Sequence, residues 1–92
     1  MMEKELTINH RFGLHGRPSL RLAEAASKFE SDVEVVFEDD RVDAKSVLNL
    51  ISLGVPCGGR MKIIVNGPDE VEALEELVSL VERNFDLEDE ME

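Results

Sequence analysis

The sequence predicts an α+β fold, a two-layer sandwich in which a sheet of short antiparallel strands is covered on one face by helices. Three observations carry that prediction. Apolar and polar residues alternate over short runs, as they do in strands with one buried and one wet face. Other segments space their apolar residues three and four apart, the helical period. The two kinds of segment interleave in the order β-α-β-β-α-β-α, with four strands and three helices.

Taken in order, residues 3–9 form a first strand, with β-branched Thr7 and Ile8, and it ends at the polar, glycine-containing His10-Arg11-Phe12-Gly13 stretch. From Gly16 the residues favour helix, and Leu22, Ala26 and Phe29, with Ala23 alongside, make one apolar face of a helix running to about Lys28. Glu30-Ser31-Asp32 turns the chain into a second strand, where Val33, Val35 and Phe37 share a face. An acidic link, Glu38-Asp39-Asp40, leads to a partner strand over Arg41–Ala44. Ser46 and Gly54 are spaced as the N-cap and the C-terminal stop of a short, largely apolar helix. Met61, Ile63 and Val65 mark a fourth strand after the Pro56-Cys57-Gly58-Gly59 loop. Past Asn66-Gly67-Pro68, Asp69 is expected to cap the last helix with Glu72 reaching back to it, and Val71, Leu74, Val78, Val81 and Phe85 to line its buried face.

The chain of 92 residues is long enough for one core and too short for two. The expectation is a single domain over residues 1–85 and an acidic, solvated tail over 86–92. No apolar run approaches the roughly 18 residues of a membrane span, and the N-terminus lacks the pattern of a secretory signal. A cytoplasmic location is therefore expected, and the single cysteine, Cys57, agrees with a reducing compartment. Cys57 has no histidine or second cysteine close in sequence and is expected to be inert.

A net charge of −11 opposes nucleic-acid binding. The charge is unevenly spread: residues 1–28 hold five bases and three acids, whereas residues 29–92 hold 18 acids and five bases. Only the first third offers an anion a place to land, and His15 lies inside it. Gly13-Leu14-His15-Gly16-Arg17-Pro18-Ser19 places that histidine where a loop meets a helix start, whose N–H groups and dipole favour a phosphate. Gly16 allows close backbone approach, Arg17 can bind phosphate oxygens in pairs, and Pro18 costs little in a first turn. Imidazole titrates near 6.5, so much of it is a neutral nucleophile at neutral pH, and a phosphoryl group bound to its nitrogen is readily passed on. The only other histidine is His10, read as a loop residue with a structural polar role, and no ligand spacing points to a metal. A lone histidine ahead of a helix is by itself more often an ordinary polar residue, and Arg17 alone does not reverse that.

The Gly13–Ser19 heptapeptide closely resembles the Gly-Leu/Ile-His-Ala-Arg-Pro-Ala/Ser signature of the HPr family of the phosphoenolpyruvate-dependent phosphotransferase system. The likeness continues through Ala26-Ser27-Lys28-Phe29, Ala44-Lys45-Ser46-Val47, Ile51-Ser52-Leu53-Gly54 and Asn66-Gly67-Pro68-Asp69-Glu70, and so covers nearly the whole chain up to the tail. The resemblance implies an open-faced sandwich with strand order 1-4-2-3. It implies that His15 takes a phosphoryl group on Nδ1 from Enzyme I and passes it to a IIA-type protein, with Arg17 assisting and Gly16 at the phosphate. No cofactor is implied, and the chain reads as a carrier and not as a stand-alone enzyme. Ser46, an N-cap on its own merits, also matches the serine that an HPr kinase/phosphorylase modifies in many family members. A nitrogen-related or regulatory carrier that acts by phosphorylation-dependent docking is the alternative.

Val47, Leu48, Ile51 and Leu53 are too many apolar residues for so short a helix to bury on one side, although Ile51 is expected in the core. With Leu20 and the bases Arg17, Arg21 and Lys45 they are expected to form an apolar patch with a basic edge beside His15, where partners dock. Gly16, Glu24 and Asn49 depart from the residues most common in the family, and a monomer is expected.

Overall fold

The computed structural model describes residues 1–87 and shows four strands and three α-helices: β1 (Met2–Thr7), α1 (Gly16–Ala26), β2 (Asp32–Phe37), β3 (Asp40–Asp43), α2 (Val47–Leu53), β4 (Arg60–Asn66) and α3 (Glu70–Glu82). A 3-10 turn, Asn84–Asp86, follows α3. The sheet is antiparallel throughout in the order β1-β4-β2-β3, with Leu6 opposite Met61, Val35 opposite Ile63 and Val35 opposite Val42. Element order and sheet order are therefore those anticipated. Most of the acidic tail lies outside the described residues.

Period-2 alternation sends Leu6, Val33, Val35, Met61, Ile63 and Val65 to the helix-covered face, where all are buried. Leu22, Ala23, Leu50, Leu53, Leu74 and Leu77 meet them from the helices. Apart from buried Ile64, the other face is largely polar and carries cross-strand ion pairs: Glu5 with Arg60, Glu3 with Lys62 and Glu34 with Arg41. Such exposed pairs contribute little to stability, so the core holds the sheet to the helices.

Four local expectations need correction. The first strand ends at Thr7, because Ile8 leaves the ladder to exchange hydrogen bonds with the glycine loop: its N–H donates to Gly59 O (2.9 Å) and its carbonyl accepts from Gly58 N–H (2.7 Å). In α2 the residues that reach the core are Leu50 and Leu53, while Ile51 is only half-buried. In α3 the buried face is Ala73, Leu74, Leu77, Leu80 and Val81, and Val71, in the first turn, is 51% exposed. Phe85 is fully buried, yet it arrives there through a left-handed turn, with Asn84, Phe85 and Asp86 at φ 56°, 60° and 59°. Burying a phenyl group stabilises by about 1.5–3 kcal/mol, which offsets part of the roughly 1–2 kcal/mol that each of these three left-handed residues costs.

The fourth correction concerns Asp69. Its carboxylate does not cap its own helix; it accepts hydrogen bonds from Glu30 N–H (3.0 Å), Ser31 N–H (3.0 Å) and the Ser31 hydroxyl. Glu70, not Glu72, reaches back, accepting from Gly67 N–H at 3.0 Å and pairing with the N-terminal ammonium at 3.1 Å. A Cβ on Gly67 would stand 2.6 Å from Ser31 Cα, so the turns after α1 and before α3 close on one another only because position 67 is glycine. The Ser31 hydroxyl, then the Glu30 amide, hold the Asp69 carboxyl below the usual aspartate range, and the Gly67 amide and the N-terminal ammonium do the same for Glu70.

A carboxyl whose folded pKa is depressed stabilises the fold above its unfolded pKa, and that contribution is lost as pH falls through the folded value. Urea midpoints of the wild type are therefore expected to fall as the pH drops below about 4. Asp69→Asn is expected to lower the midpoint at neutral pH and to flatten its decline in acid.

Candidate functional site

The site is built from a turn, a clamp and a helix start. Gly13 N–H donates to His10 O (2.9 Å), which closes a turn over residues 10–13. Leu14 N–H then donates to Val55 O (2.7 Å), and its side chain is buried. Gly13 has φ +75°, and a Cβ there would stand 2.3 Å from Val55 O. The chain can pass at this point only as glycine. His15 follows as the N-cap of α1 in extended conformation (φ −125°, ψ −170°), its carbonyl accepting the first helical bond from Ser19 N–H at 2.9 Å.

The His15 side chain makes no capping bond and is exposed. A histidine with a fixed backbone and a projecting ring thus stands at the positive end of an 11-residue helix. Gly16 is half-buried, Arg17 is exposed one residue further on, and Pro18 and Ser19 are buried beneath them. The backbone and side chains gathered here suit an anion carried by His15.

The residues expected to dock partners do not form one patch. α1 and α2 pack on each other, and Leu20 (45% exposed) and Leu48 (75%) are their projecting apolar residues, with Val47 half-buried against the core. Arg21 faces the other way, into a groove between α1 and α3 that it shares with Glu24, Lys28, Glu76, Arg83 and Asp86. There it helps hold the Asp86 carboxyl low, the larger cause being the hydrogen bond from Arg83. Lys45 donates from Nζ to Phe29 O at 2.8 Å, past the C-terminal end of α1 and so about 15 Å or more along that helix from His15. Ser46 caps α2, its hydroxyl accepting from Asn49 N–H at 3.3 Å.

Against this geometry, the family model described as "PTS HPr component phosphorylation site" matches residues 2–83. The chain belongs to the HPr family of phosphocarrier proteins. It is similar to the phosphocarrier protein HPr of Treponema pallidum (strain Nichols), with 35% identity over 86 residues that span 94% of this chain and 98% of that one. The HPr-like protein Crh of Bacillus subtilis (strain 168) is 35% identical over 82 residues, or 89% of this chain and 96% of Crh. The crystal structure of HPr-C-His from Thermoanaerobacter tengcongensis superposes with a TM-score of 0.91 at 40% identity, covering 96% of this chain and 99% of that one. Dimers occur among the similar solved structures, so the likeness lends no support to the expected monomer.

Among the described residues no helix is long and apolar enough to cross a membrane, and no group of three or more His, Cys, Asp and Glu side chains could hold a metal ion. Two features of this HPr site escape a reading of the sequence. Leu14 looks like an ordinary member of the signature, yet it is the buried peg that holds the loop; an apolar residue between a glycine and a histidine was the available signal. His10 is completely buried, and its Nδ1 accepts the Phe12 amide at 3.3 Å. Nothing in its polar neighbourhood signals that depth.

Gly13 and Gly58 allow a paired test, since both have positive φ but a Cβ on Gly58 would meet nothing within 4 Å. Gly13→Ala is expected to lower the melting temperature much more than Gly58→Ala, which bears only the left-handed cost of about 1 kcal/mol. Ser46→Ala is expected to cost about 1 kcal/mol in urea denaturation through the lost cap.

Proposed function

We propose that this HPr-family chain accepts a phosphoryl group on His15 from phosphorylated Enzyme I and transfers it to a IIA-type protein of the phosphotransferase system. The observation that carries the reading is the exposed, uncapped His15 imidazole on a clamped backbone at the start of α1. In each step one P–N bond forms as another P–N bond breaks, so the imidazoles of donor and acceptor exchange the phosphoryl group without oxidant, metal or co-substrate. His15 attacks as the neutral ring. Arg17 and the helix start offset the charge on the phosphoryl oxygens, a role that needs positioning and electrostatics more than covalent chemistry. Leu20, Leu48 and the half-buried Val47 supply the apolar contact for docking, and the place of work is the cytoplasm.

Ser46 is the candidate regulatory site. A phosphoserine at a helix N-cap suits the dipole, so modification by an HPr kinase/phosphorylase would leave α2 folded and act through added charge beside Val47 and Leu48. The Crh relative keeps a second reading in view, a regulator that works by phosphorylation-dependent docking. A pure docking module could dispense with His15 and Arg17, and this chain has both.

Incubation with phosphoenolpyruvate and an Enzyme I is expected to add one acid-labile phosphoryl group, detected by mass, to the wild type and none to His15→Ala. A wild type that gains none, or a His15→Ala variant that gains it equally, sinks the proposal. Arg17→Ala is expected to slow acceptance by roughly 10- to 100-fold. With ATP and an HPr kinase, an acid-stable adduct is expected on the wild type and not on Ser46→Ala.

A further inference from the structure

His10 has no part in the transfer just described, yet it occupies the floor of the loop that delivers His15. It has no exposed surface. Its Nδ1 accepts the Phe12 amide at 3.3 Å, which requires a lone pair on that nitrogen, and its carbonyl accepts the Gly13 amide at 2.9 Å. The Phe12 ring lies tilted against the imidazole, with centroids 6.0 Å apart at 45°, and the Arg11 guanidinium carbon lies 5.1 Å from the Phe12 centroid. Imidazole, phenyl and guanidinium thus rise as one stack from the buried floor to the solvent, where Phe12 is 52% exposed.

The backbone transmits whatever this stack does. The turn over residues 10–13 runs into Gly13, which touches the Val55–Pro56 backbone with no slack, then into Leu14 bonded to Val55 O, then into His15. An apolar side chain would fill the floor without desolvating ring nitrogens, a cost that burial imposes on imidazole. What imidazole adds is an acceptor for the Phe12 amide.

We propose that His10 is a positioning residue for phosphoryl transfer: its buried Nδ1 sets the 10–13 turn, and through Gly13 and Leu14 it fixes the direction in which His15 meets the incoming group. The inference rests on the reading of His15 as the acceptor.

The test measures phosphoryl acceptance from phosphoenolpyruvate through Enzyme I over a range of chain concentrations, for wild type, His10→Ala and His10→Asn. Asparagine can place its Oδ1 near the position of Nδ1. His10→Ala is expected to lower kcat by about 10-fold or more, since a displacement near 1 Å can cost about 100-fold, while KM stays within about twofold. His10→Asn is expected to recover most of kcat. Equal kcat for wild type and His10→Ala overturns the proposal, as does an equally slow His10→Asn. Should His10→Ala fail to fold, the comparison of wild type with His10→Asn stands beside a measurement that needs no transfer: the scalar coupling between the Phe12 amide nitrogen and His10 Nδ1 in 15N-labelled wild type. Its presence is expected, and its absence removes the proposed link. A wild type that takes no phosphoryl group overturns the reading of His15, and the role of His10 with it; a wild type that does, beside an unaffected His10→Ala, overturns His10 alone.

Discussion

The His15 end of the molecule depends on one backbone contact, the hydrogen bond from Leu14 N–H to Val55 O, at 2.7 Å. It ties the approach to α1 to the segment that leaves α2, and so fixes which helix ends lie together. Gly13 makes the contact possible by giving up a side chain that would collide with Val55 O. The bond separates two demands that ordinarily conflict. A carrier histidine must be exposed to meet its partners, and exposed residues at loop–helix junctions are mobile. Here the ring is exposed while the backbone on its N-terminal side is buried and bonded, so rigidity comes from the neighbour and the His15 ring stays accessible.

α1 is held just as deliberately at its other end, by different chemistry. Lys45 places its ammonium on Phe29 O, just past the helix C-terminus where the dipole favours a cation. One residue further, Glu30 and Ser31 donate to the Asp69 carboxylate, which secures the turn before α3. A residue expected at the docking edge, Lys45, and one expected as a helix cap, Asp69, thus share the task of fixing the helix that presents His15. The two ends differ in their response to conditions. The Val55 contact is neutral and indifferent to pH, whereas the Asp69 contacts need an ionised carboxylate.

The parts of this fold that were legible in the sequence are those decided locally. Alternation in Val33–Val35–Phe37 and Met61–Ile63–Val65, and the Ser46…Gly54 pair of stops, depend on near neighbours, and each appears where the pattern puts it. Strand order is not a local property; it was reached through the family resemblance. The departures share a cause, a distant partner that outbids the near one. Asp69 could cap its own helix or accept three bonds from residues 30 and 31, and the second offers more. Phe85 fits a helical spacing from Val81, yet the core is reached by a left-handed turn. His15 and Arg17 could be picked out because their neighbours in sequence are their neighbours in the site. His10 and Leu14 could not be understood that way, because what matters about them is burial against Val55 and the glycine loop.

The basic character of the first third of the chain also changes meaning once the fold is known. Of its cations, Arg21 is turned toward Asp86 in the α1–α3 groove, and Arg11 stands over Phe12. The local surplus of positive charge is therefore not massed around His15. What favours an anion at His15 is the start of α1 and the neighbouring Arg17, and both act at short range. At long range the overall charge of −11 attracts basic surfaces and repels acidic ones. Leu20 and Leu48 expose apolar surface, which gains by leaving water whatever the sign of a partner's charge. In the function proposed above, charge selects which partners approach, apolar contact holds them, and the clamped imidazole exchanges its phosphoryl group in a short encounter.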